Sequence, residues 1–530
     1  MRPWTIIPPV MFLALVTGEG LAFAADEWVG TWAASPQSSS TTFNQQTLRQ
    51  IVHTTLSGSP ARVQLSNAFG TQAVTIADVH IAERDSGSSV VASTDQAVTF
   101  GGQSSTTIAV GDVAISDSVN FTVKALTDVA ISIYLPQPTG PATSHSLGLQ
   151  TNYVVSGDVS GSTTLTNPAT NQSYYFLANV DVVNSAAAGA VATLGASITD
   201  GYQSSADQNV RWPNDLATRL VGATMTVGVL NQGISGNQLL VDGSGQSALH
   251  RFSRDVLSQP GVKWVIFSDD PINDLGDNNP PPTSAQLIAG ITQLITSAHQ
   301  NGIRFLCSTL TPYQGASYWT AQGETEREAI NTFIRGPSSG CDGIVDQDNA
   351  THNPAMPTEY LPAYDSGDHL HPNNAGYQAI ANAVNLAFFD AGAPTGDAGF
   401  IMDAGPGSGT ADGGSERDAA SGTADAGSEK DATSGTTDAG SGADAASGTA
   451  DAGPGKDAAS GTAKEAGLGG ASSDAGEEPH SGGGGCSMAP GAGVDCARPT
   501  GVWAGIGVGL MLVWKRRRNR DGARRDADLT

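Results

Sequence analysis

The chain has few cysteines and few basic residues for its length. Four cysteines in 530 residues cannot form the dense disulfide framework by which small secreted domains replace a hydrophobic core. Lysine and arginine together number 25 against 51 aspartates and glutamates, which gives a formal net charge of −26. So little positive charge argues against binding the phosphate backbone of nucleic acid, which therefore is not an expected partner. The length exceeds what one ordinary core supports, so several regions are expected.

Aromatic and branched apolar residues are nearly absent from residues 395–485. The unit "DAASGTADAGSEK" begins at Asp418 and recurs with small changes from Asp431 and Asp444. A repeat of this composition lacks the apolar face that stacked repeats bury. We therefore expect residues 395–485 to be a disordered, acidic, extended spacer.

The N-terminus has the pattern of a secretory signal peptide over residues 1–25. Arg2 precedes an apolar run that ends in the small-residue sequence "LAFAAD". Export would place Cys307 and Cys341 in an oxidising compartment, which permits a disulfide between them but does not establish one.

Long hydrophobic runs are also missing, and the longest near the C-terminus covers only residues 501–514. Fourteen helical residues span about 21 Å, less than the roughly 30 Å of a bilayer core. The cluster "KRRRNR" that follows fits the positive-inside rule. Residues 486–530 resemble the bacterial surface-sorting tails called MYXO-CTERM, which implies processing or lipid attachment at Cys486; the alternative is a weak hydrophobic tail without function. We expect an exported protein, anchored at the cell surface or outer envelope or secreted.

Residues 26–185 are expected to form a β-rich domain. Short runs alternate apolar and polar positions without helical periodicity, as in "ARVQLSNAF", "VTIADVHIA", "SVNFTVKAL" and "VAISIYLP". Short strands separated by turn residues favour an all-β sandwich or a jelly-roll-like fold.

Residues 186–394 are expected to form an α/β domain. The strand-like runs "AVATLG", "MTVGVLN", "KWVIFSD", "IRFLCSTL" and "GIVDQD" alternate with helix-length segments such as "NVRWPNDLATRL", "SAQLIAGITQLITSAHQN" and "NNAGYQAIANAVNLAFF". This alternation predicts a flavodoxin-like, doubly wound, five-stranded parallel sheet, with its ligand site at the carboxyl ends of the strands.

Five candidate catalytic residues follow these predicted strands. Ser197 follows the first strand, Gly236 the second and Asn273 the third, and Asp368 and His371 follow the fifth. The spacing of Asp368 and His371 lets the carboxylate bind one imidazole nitrogen and leaves the other to take a hydroxyl proton. A serine needs such a base to become a nucleophile. A serine at a strand end is otherwise usually a helix cap.

The blocks "GASITDG", "NQGISGN", "INDLG" and "DHLHPN" resemble, in this order, those of the SGNH or GDSL hydrolases, serine esterases on a flavodoxin-like sheet. The resemblance implies that Ser197 is the nucleophile, His371 the general base and Asp368 its orienting residue. It implies an oxyanion hole made by the N–H groups of Ser197 and Gly236 and the side-chain amide of Asn273. The opening "WVGTWAASPQ" is also similar to secreted two-part members with a β-rich domain before the hydrolase.

Two positions depart from that family pattern. Ala196 stands where aspartate is usual, and Pro271 stands where glycine is usual. The missing aspartate would remove a supporting hydrogen bond worth about 0.5–1.5 kcal/mol. Proline fixes φ and has no N–H, and a shift of the Asn273 amide by about 1 Å would lower the rate roughly a hundredfold.

Other polar residues have mainly structural interpretations. His369 has the wrong offset for the triad, and Asp200 reads as a first-turn carboxylate favoured by the helix dipole. His145 could reach across from the β-rich domain, although a turn or core role is the commoner one. The acidic run "SDDPIND" lacks the ligand spacing of a calcium site, so no metal and no cofactor are expected.

These observations and the resemblance together predict a surface-displayed serine ester hydrolase. The resemblance to secreted carbohydrate esterases, together with the β-rich domain, implies that it removes short acyl groups, foremost acetyl, from carbohydrate. The expected partners are an acylated carbohydrate or another small ester, and a membrane or cell envelope at the C-terminus; the oligomeric state stays open. The alternatives are a lipase or lysophospholipase-type acylhydrolase, and a surface binding module whose hydrolase domain has decayed.

Overall fold

The N-terminal part of the folded chain consists of antiparallel strands. The computed structural model describes residues 27–390, and every strand pair up to residue 183 is antiparallel. The strands are β1 (Trp28–Ala33), β2 (Gln37–Ser38), β3 (Gln46–Thr54), β4 (Ala61–Ser66), β5 (Val74–Ser86), β6 (Ser89–Val90), β7 (Gln96–Val98), β8 (Ser105–Ile108), β9 (Val113–Ile115), β10 (Thr127–Leu135), β11 (Thr143–His145), β12 (Asn152–Ser156), β13 (Ala169–Asn171), β14 (Tyr174–Tyr175) and β15 (Leu177–Val183). The predicted β-rich region is confirmed.

Two of these sheets share one hydrophobic core. One sheet has the strand order β1-β15-β4-β9, and the other runs β13-β12-β3-β10-β5-β6. Along β4 the buried positions alternate, with Val63 and Leu65 facing the core and Arg62 half-buried. The other sheet contributes Ile131 and Ile133 of β10 to the same core. Alternation with period two therefore places one face of each sheet inside.

The segment "SVNFTVKAL" at residues 118–126 is not the strand that its alternation predicts. It makes only single bridges, between Val119 and Ala61 and between Val123 and Gly58. Val119, Phe121 and Val123 are nevertheless buried. The alternation records burial of one face along an extended chain, and burial alone does not require a continuous ladder of hydrogen bonds.

A five-stranded parallel sheet begins directly after the antiparallel region. Its strands are β16 (Gly189–Gly195), β17 (Val227–Gly233), β18 (Val262–Phe267), β19 (Arg304–Ser308) and β20 (Gly343–Val345). The spatial order is β17-β16-β18-β19-β20, so the second strand lies outside the first. This is the flavodoxin-like order, and the predicted parallel sheet is confirmed. The carboxyl ends of β16, β17 and β18 therefore lie side by side.

Helices connect the strands of this sheet. They are α1 (Ser197–Asp200), α2 (Trp212–Gly222), α3 (Ala248–Phe252), α4 (Asp270–Asp277), α5 (Ser284–Gln300), α6 (Ala321–Arg335), α7 (Gln347–Thr351) and α8 (Asn374–Ala383), with a π turn at Ser253–Leu257, 3-10 turns at Ala92–Thr94 and Leu386–Phe389, and a small hairpin of β21 (His352–Asn353) and β22 (Met356–Tyr360). The three helix-length segments of the sequence correspond to α2, α5 and α8. Asn373 caps α8 by accepting the N–H groups of Ala375 and Gly376, which ends the loop that carries His371.

The antiparallel and parallel regions pack as one compact unit. Strand β1 lies against β17, and a Cβ on Gly228 would fall 2.1 Å from the carbonyl oxygen of Gly30. Leu230 of β17 belongs to the core of the antiparallel region. The N–H of Val229 donates to Thr55 Oγ1 at 2.9 Å. The contact is thus both apolar and hydrogen-bonded.

Cys307 and Cys341 form a disulfide, which the sequence left open. Their Cα atoms lie 5.8 Å apart, and Cys307 is fully buried at the end of β19. The bond ties β19 to the segment that leads into β20. None of the helices in residues 27–390 has the length and apolar character needed to cross a membrane.

Removing this disulfide should lower the free energy of unfolding by about 3–4 kcal/mol, because the bond closes a loop with a sequence separation of 34 in the unfolded chain. The measurement is urea unfolding of the full chain with and without a phosphine reductant. The double variant Cys307→Ala, Cys341→Ala serves as the control and should not respond to the reductant. An equal unfolding free energy for the reduced and oxidised proteins would contradict the prediction.

Candidate functional site

Ser197 lies where β16 ends and α1 begins. All seven residues of β16 are buried, and Ser197 is 8 % exposed. Glycine is required at position 195, two residues before Ser197, because a Cβ there would fall 2.2 Å from Thr199 Oγ1 and 2.5 Å from Asp269 Oδ1. The short helix ends at Gly201, whose φ of +101° only glycine adopts readily.

His371 joins Ser197 to Asp368. Its Nε2 lies 2.8 Å from Ser197 Oγ, and its Nδ1 lies 2.7 Å from Asp368 Oδ2. The ring of Tyr202 stands edge-on to the imidazole at a centroid distance of 4.7 Å. The geometry fits a histidine whose Nδ1–H donates to the carboxylate and whose Nε2 accepts from the serine hydroxyl. The three residues that the sequence proposed as a triad are therefore in contact.

The carboxylate of Asp368 is held in its charged form. Burial raises its pKa, but hydrogen bonds from the His371 ring and from the N–H groups of Leu370 and His371 outweigh burial and hold that pKa well below its usual range. A depressed pKa means that the stabilisation is present above the ordinary aspartate pKa and is lost only as pH falls through the lower, folded-state value. Asp368 thus remains an anion at any mildly acidic pH.

Asp269 holds the backbone on both sides of Ser197. Its Oδ1 accepts from Ala196 N at 3.0 Å and from Thr199 Oγ1 at 2.7 Å, and its Oδ2 accepts from Ile198 N at 2.8 Å. The residue is buried. Hydrogen bonds to a charged acceptor contribute about 1.5–3 kcal/mol each. In the sequence Asp269 stands out only as part of an acidic run. Its position just after β18, the strand that neighbours β16, is the feature that could have indicated its contact with the Ser197 segment.

Gly236 lies in a turn at the end of β17. Asn237 N donates to Ile234 O at 2.9 Å, which closes the turn, and Gly236 has a φ of +76°. Ile234 N donates to Gly195 O at 3.0 Å, which fixes the turn beside the nucleophile segment. A positive φ at the third turn position favours glycine. We call residues 234–237 the β17 turn.

Asn273 is the fourth residue of α4. Its Nδ2 donates to Asn237 O at 2.8 Å, and its Oδ1 accepts from the hydroxyl of Tyr318 at 3.0 Å. An amide NH₂ has two donors, so one N–H remains beyond the bond to Asn237. Tyr318 therefore orients the amide, a role that no local sequence pattern indicated.

Pro271 occupies the first turn of α4. The N–H groups there have no partner within the helix, so a missing N–H costs nothing, and the fixed φ suits a helix start. The concern that Pro271 displaces Asn273 has no structural support, because Asn273 keeps both of its amide contacts.

Two of the three donors expected in the oxyanion hole are unused within residues 27–390. The backbone N–H groups of Ser197 and Gly236 bond to no acceptor in that part of the chain. Asp269 takes the N–H groups on either side of Ser197 but not its own. The arrangement leaves these donors for an oxygen that arrives with a ligand.

The remaining candidates have other partners. His369 is over half exposed and its Nδ1 lies 2.6 Å from Asp365 Oδ2, a structural contact as expected. Asp200 is not merely a first-turn carboxylate, because its Oδ1 lies 3.0 Å from Nε2 of His145, which does reach across from β11.

The acidic run after β18 separates into individual roles. Asp274 accepts from the N–H groups of Leu239 and Leu240, and burial raises its pKa to about 6 against those bonds. Asp270 is fully buried without a hydrogen bond to its carboxyl oxygens. Within the described residues no set of three or more histidine, cysteine or acidic side chains is placed to hold a metal ion. The predicted signal peptide, the predicted spacer and the predicted sorting tail with Cys486 lie outside the described residues.

Ser197, His371 and Asp368 thus meet at the carboxyl edge of a flavodoxin-like parallel sheet. Residues 193–379 match the model of the GDSL-like Lipase/Acylhydrolase family. Among curated proteins none matches the sequence.

Several solved structures resemble this chain. A variant of an acetyl-xylooligosaccharide esterase from Geobacillus Stearmophilus is 19 % identical, with 38 % of this chain and 94 % of that chain covered and a TM-score of 0.30. A lipase/acylhydrolase from Enterococcus faecalis is 19 % identical, with 37 % and 92 % covered and a TM-score of 0.29. An aryl esterase from M. smegmatis is 17 % identical, with 37 % and 95 % covered and a TM-score of 0.29.

Replacing Asp270 by asparagine should stabilise the protein at neutral and alkaline pH. Burial raises the pKa of Asp270 to about 7, although the nearby Arg251 opposes this. The folded state then binds a proton more tightly than the unfolded chain, so stability falls as pH rises from about 4 to about 7. Relative to wild type, Asp270→Asn should be neutral at pH 4 and gain up to about 4 kcal/mol above pH 7. Urea unfolding across this range measures it; parallel profiles for the two proteins would contradict it.

Proposed function

We propose that this chain is a serine ester hydrolase. The observation that carries the proposal is His371, which lies within hydrogen-bond distance of both Ser197 Oγ and Asp368 Oδ2. An imidazole so placed removes the hydroxyl proton while the carboxylate stabilises the positive charge that forms on the ring. The family match of residues 193–379 supports acyl-ester substrates.

The proposed reaction proceeds in two halves. Ser197 Oγ attacks the ester carbonyl, its proton passes to His371 Nε2, and the carbonyl oxygen becomes an oxyanion that accepts from Ser197 N–H, Gly236 N–H and the Asn273 amide. The carbonyl re-forms, the C–O bond breaks, and the alcohol leaves with the proton from His371. Water then attacks the acyl-serine with His371 again as base, which releases the carboxylic acid and restores Ser197.

The decayed binding module is the less favoured reading. That alternative is suggested by Ala196 and Pro271, the two positions that depart from the usual family residues. Ala196 uses its N–H to reach Asp269, so the segment is supported without a carboxylate at position 196. Pro271 begins a helix where its ring is suited.

For the substrate we propose short acyl groups, foremost acetyl, on carbohydrate. The support is the similarity of the chain to secreted two-part esterases and the presence of the β-rich region; a lipase or lysophospholipase-type acylhydrolase is the second candidate. Initial rates on aryl acetate, aryl octanoate and an acetylated polysaccharide separate them. Faster turnover of the octanoate, with no acetate released from the polysaccharide, would favour the second candidate.

Ser197→Ala should lose fluorophosphonate labelling and about six orders of magnitude in aryl-acetate turnover, because the attacking oxygen is gone. His371→Ala should lose nearly as much. His369→Asn is the matched control, since His369 is exposed with a φ of +62° that asparagine tolerates, and should stay within a few-fold of wild type. Equal labelling of wild type and Ser197→Ala would remove Ser197 from its proposed role.

We also propose that the protein is exported and anchored through its C-terminus. The support is the signal-peptide pattern of residues 1–25, the tail around Cys486, and the disulfide between Cys307 and Cys341, which suits an oxidising compartment. If residues 395–485 form the coil that their composition predicts, these roughly ninety residues would reach about 50 Å, enough to carry a tethered enzyme beyond the membrane surface.

Truncation after Pro394 should release the enzyme into the medium with full activity on soluble aryl acetate. The reason is that no proposed catalytic residue lies beyond His371. Cell fractionation with an esterase assay of both proteins is the measurement. Full-length protein found wholly in the medium with its tail intact would refute the anchor, and an inactive but folded truncation would refute the division between catalysis and tether.

A further inference from the structure

A histidine of the antiparallel region lies buried against the proposed active site. His145 on β11 is 4 % exposed, with Nδ1 3.0 Å from Ser35 O and Nε2 3.0 Å from Asp200 Oδ1. Ser35 O and the ionised Asp200 carboxylate both only accept hydrogen bonds. With the Nδ1 proton donated to Ser35 O, the contact to Asp200 is a hydrogen bond only when a second proton lies between His145 Nε2 and Asp200 Oδ1. The contact is therefore a charged or proton-sharing one in a site shielded from water.

Asp200 also contacts the β17 turn (residues 234–237). Its second oxygen, Oδ2, accepts from both the backbone N–H and the hydroxyl of Ser235, each at 2.9 Å. Ser235 is the residue before Gly236, whose N–H is a proposed oxyanion donor. Asp200 also ends the helix that Ser197 begins, and its N–H donates to Ala196 O. One carboxylate thus joins the turn, the nucleophile segment and the β-rich region.

A second contact holds the other side of the turn. Arg251 is fully buried; its Nε donates to Asn237 Oδ1 at 3.0 Å, and its Nη2 donates to Gly195 O at 3.0 Å. Its Nη1 donates to the hydroxyl of Ser35 at 3.1 Å. Ser35, whose carbonyl receives His145, therefore touches both supports of the turn. Gly236 between them has a backbone that is intrinsically permissive and needs such support.

We propose that His145 is a positioning residue which, through Asp200, fixes the Ser235–Gly236 segment so that the Gly236 N–H meets the developing oxyanion. The inference rests on the proposed function and adds that the β-rich region completes the catalytic site. Positioning of an oxyanion donor acts on the transition state more than on the bound substrate, so its loss lowers kcat with little change in KM.

Two isosteric substitutions separate the two bonds of His145. His145→Gln places an amide N–H near the position of Nε2 and keeps the donor to Asp200. His145→Asn places its amide near Nδ1 and keeps the contact to Ser35 but loses the donor to Asp200. We expect His145→Asn to lose about 10- to 100-fold in kcat with KM within about twofold, and His145→Gln to recover most of that loss.

Asp200→Asn and His80→Gln complete the set in the full-length protein. Asp200→Asn replaces one acceptor by a donor and should lower kcat at least as much as His145→Asn. His80 forms a comparable contact with Asp95 at 2.8 Å within the β-rich region, and His80→Gln should leave kcat unchanged. Rates on aryl acetate are divided by the concentration of labelled nucleophile from fluorophosphonate titration, so unfolded protein does not count.

The outcomes distinguish this inference from the proposed function. Wild type that neither labels at Ser197 nor hydrolyses ester defeats both. Active wild type with unchanged kcat in His145→Asn and Asp200→Asn, or equal losses in His145→Asn and His145→Gln, overturns the inference alone. A lower melting temperature with unchanged kcat would make His145 structural. Should His145→Asn fail to fold, the kcat and KM of Asp200→Asn decide the matter.

Discussion

The backbone around Ser197 is governed by one buried carboxylate. A helix start leaves several N–H groups without partners, and at a buried strand end water does not reach all of them. Asp269 accepts from the N–H groups of Ala196 and Ile198, and the N–H of Ser197 between them has no acceptor within residues 27–390. Because Asp269 comes directly before α4, the same residue fixes the distance between the nucleophile segment and the helix that carries Asn273.

Burial of charge between the two regions imposes a second constraint. Arg251 and Asp255 are both buried and lie 3.2 Å apart, while Asp270 lies 3.7 Å from the same guanidinium. Removing Arg251 or Asp255 costs more than this pair itself contributes, because the partner's charge stays buried. Asp270 differs, since its carboxyl oxygens make no hydrogen bond and burial raises its pKa to about 7. The remaining N–H groups of the Arg251 guanidinium donate to backbone oxygens near the proposed site. Arg251 therefore both balances buried negative charge and supports the backbone of the site.

The sequence predicted the site through topology. The parallel order brings the ends of β16, β17 and β18 to one edge, which is why strand-end residues such as Ser197, Gly236 and Asn273 could be grouped without a structure. Partners chosen by side-chain packing could not be grouped in this way. Asp269 was read with its acidic neighbours, and Tyr318 reaches Asn273 from a distant loop. Alternation likewise marked residues 118–126 as a strand, since it reports burial and not pairing.

The contact between His145 and Asp200 changes how the two regions should be regarded. A β-rich region that only binds polymer needs no buried polar contact with a catalytic segment, and an apolar interface costs less desolvation. Here Ser35 and His145 present polar groups to the segment that ends β16 and to the turn after β17. Polar contacts are directional, so they allow one relative placement where apolar packing tolerates several. The chemistry proposed for Ser197 therefore depends on the β-rich region, because Ser35 and His145 support the segments that carry Ser197 and Gly236.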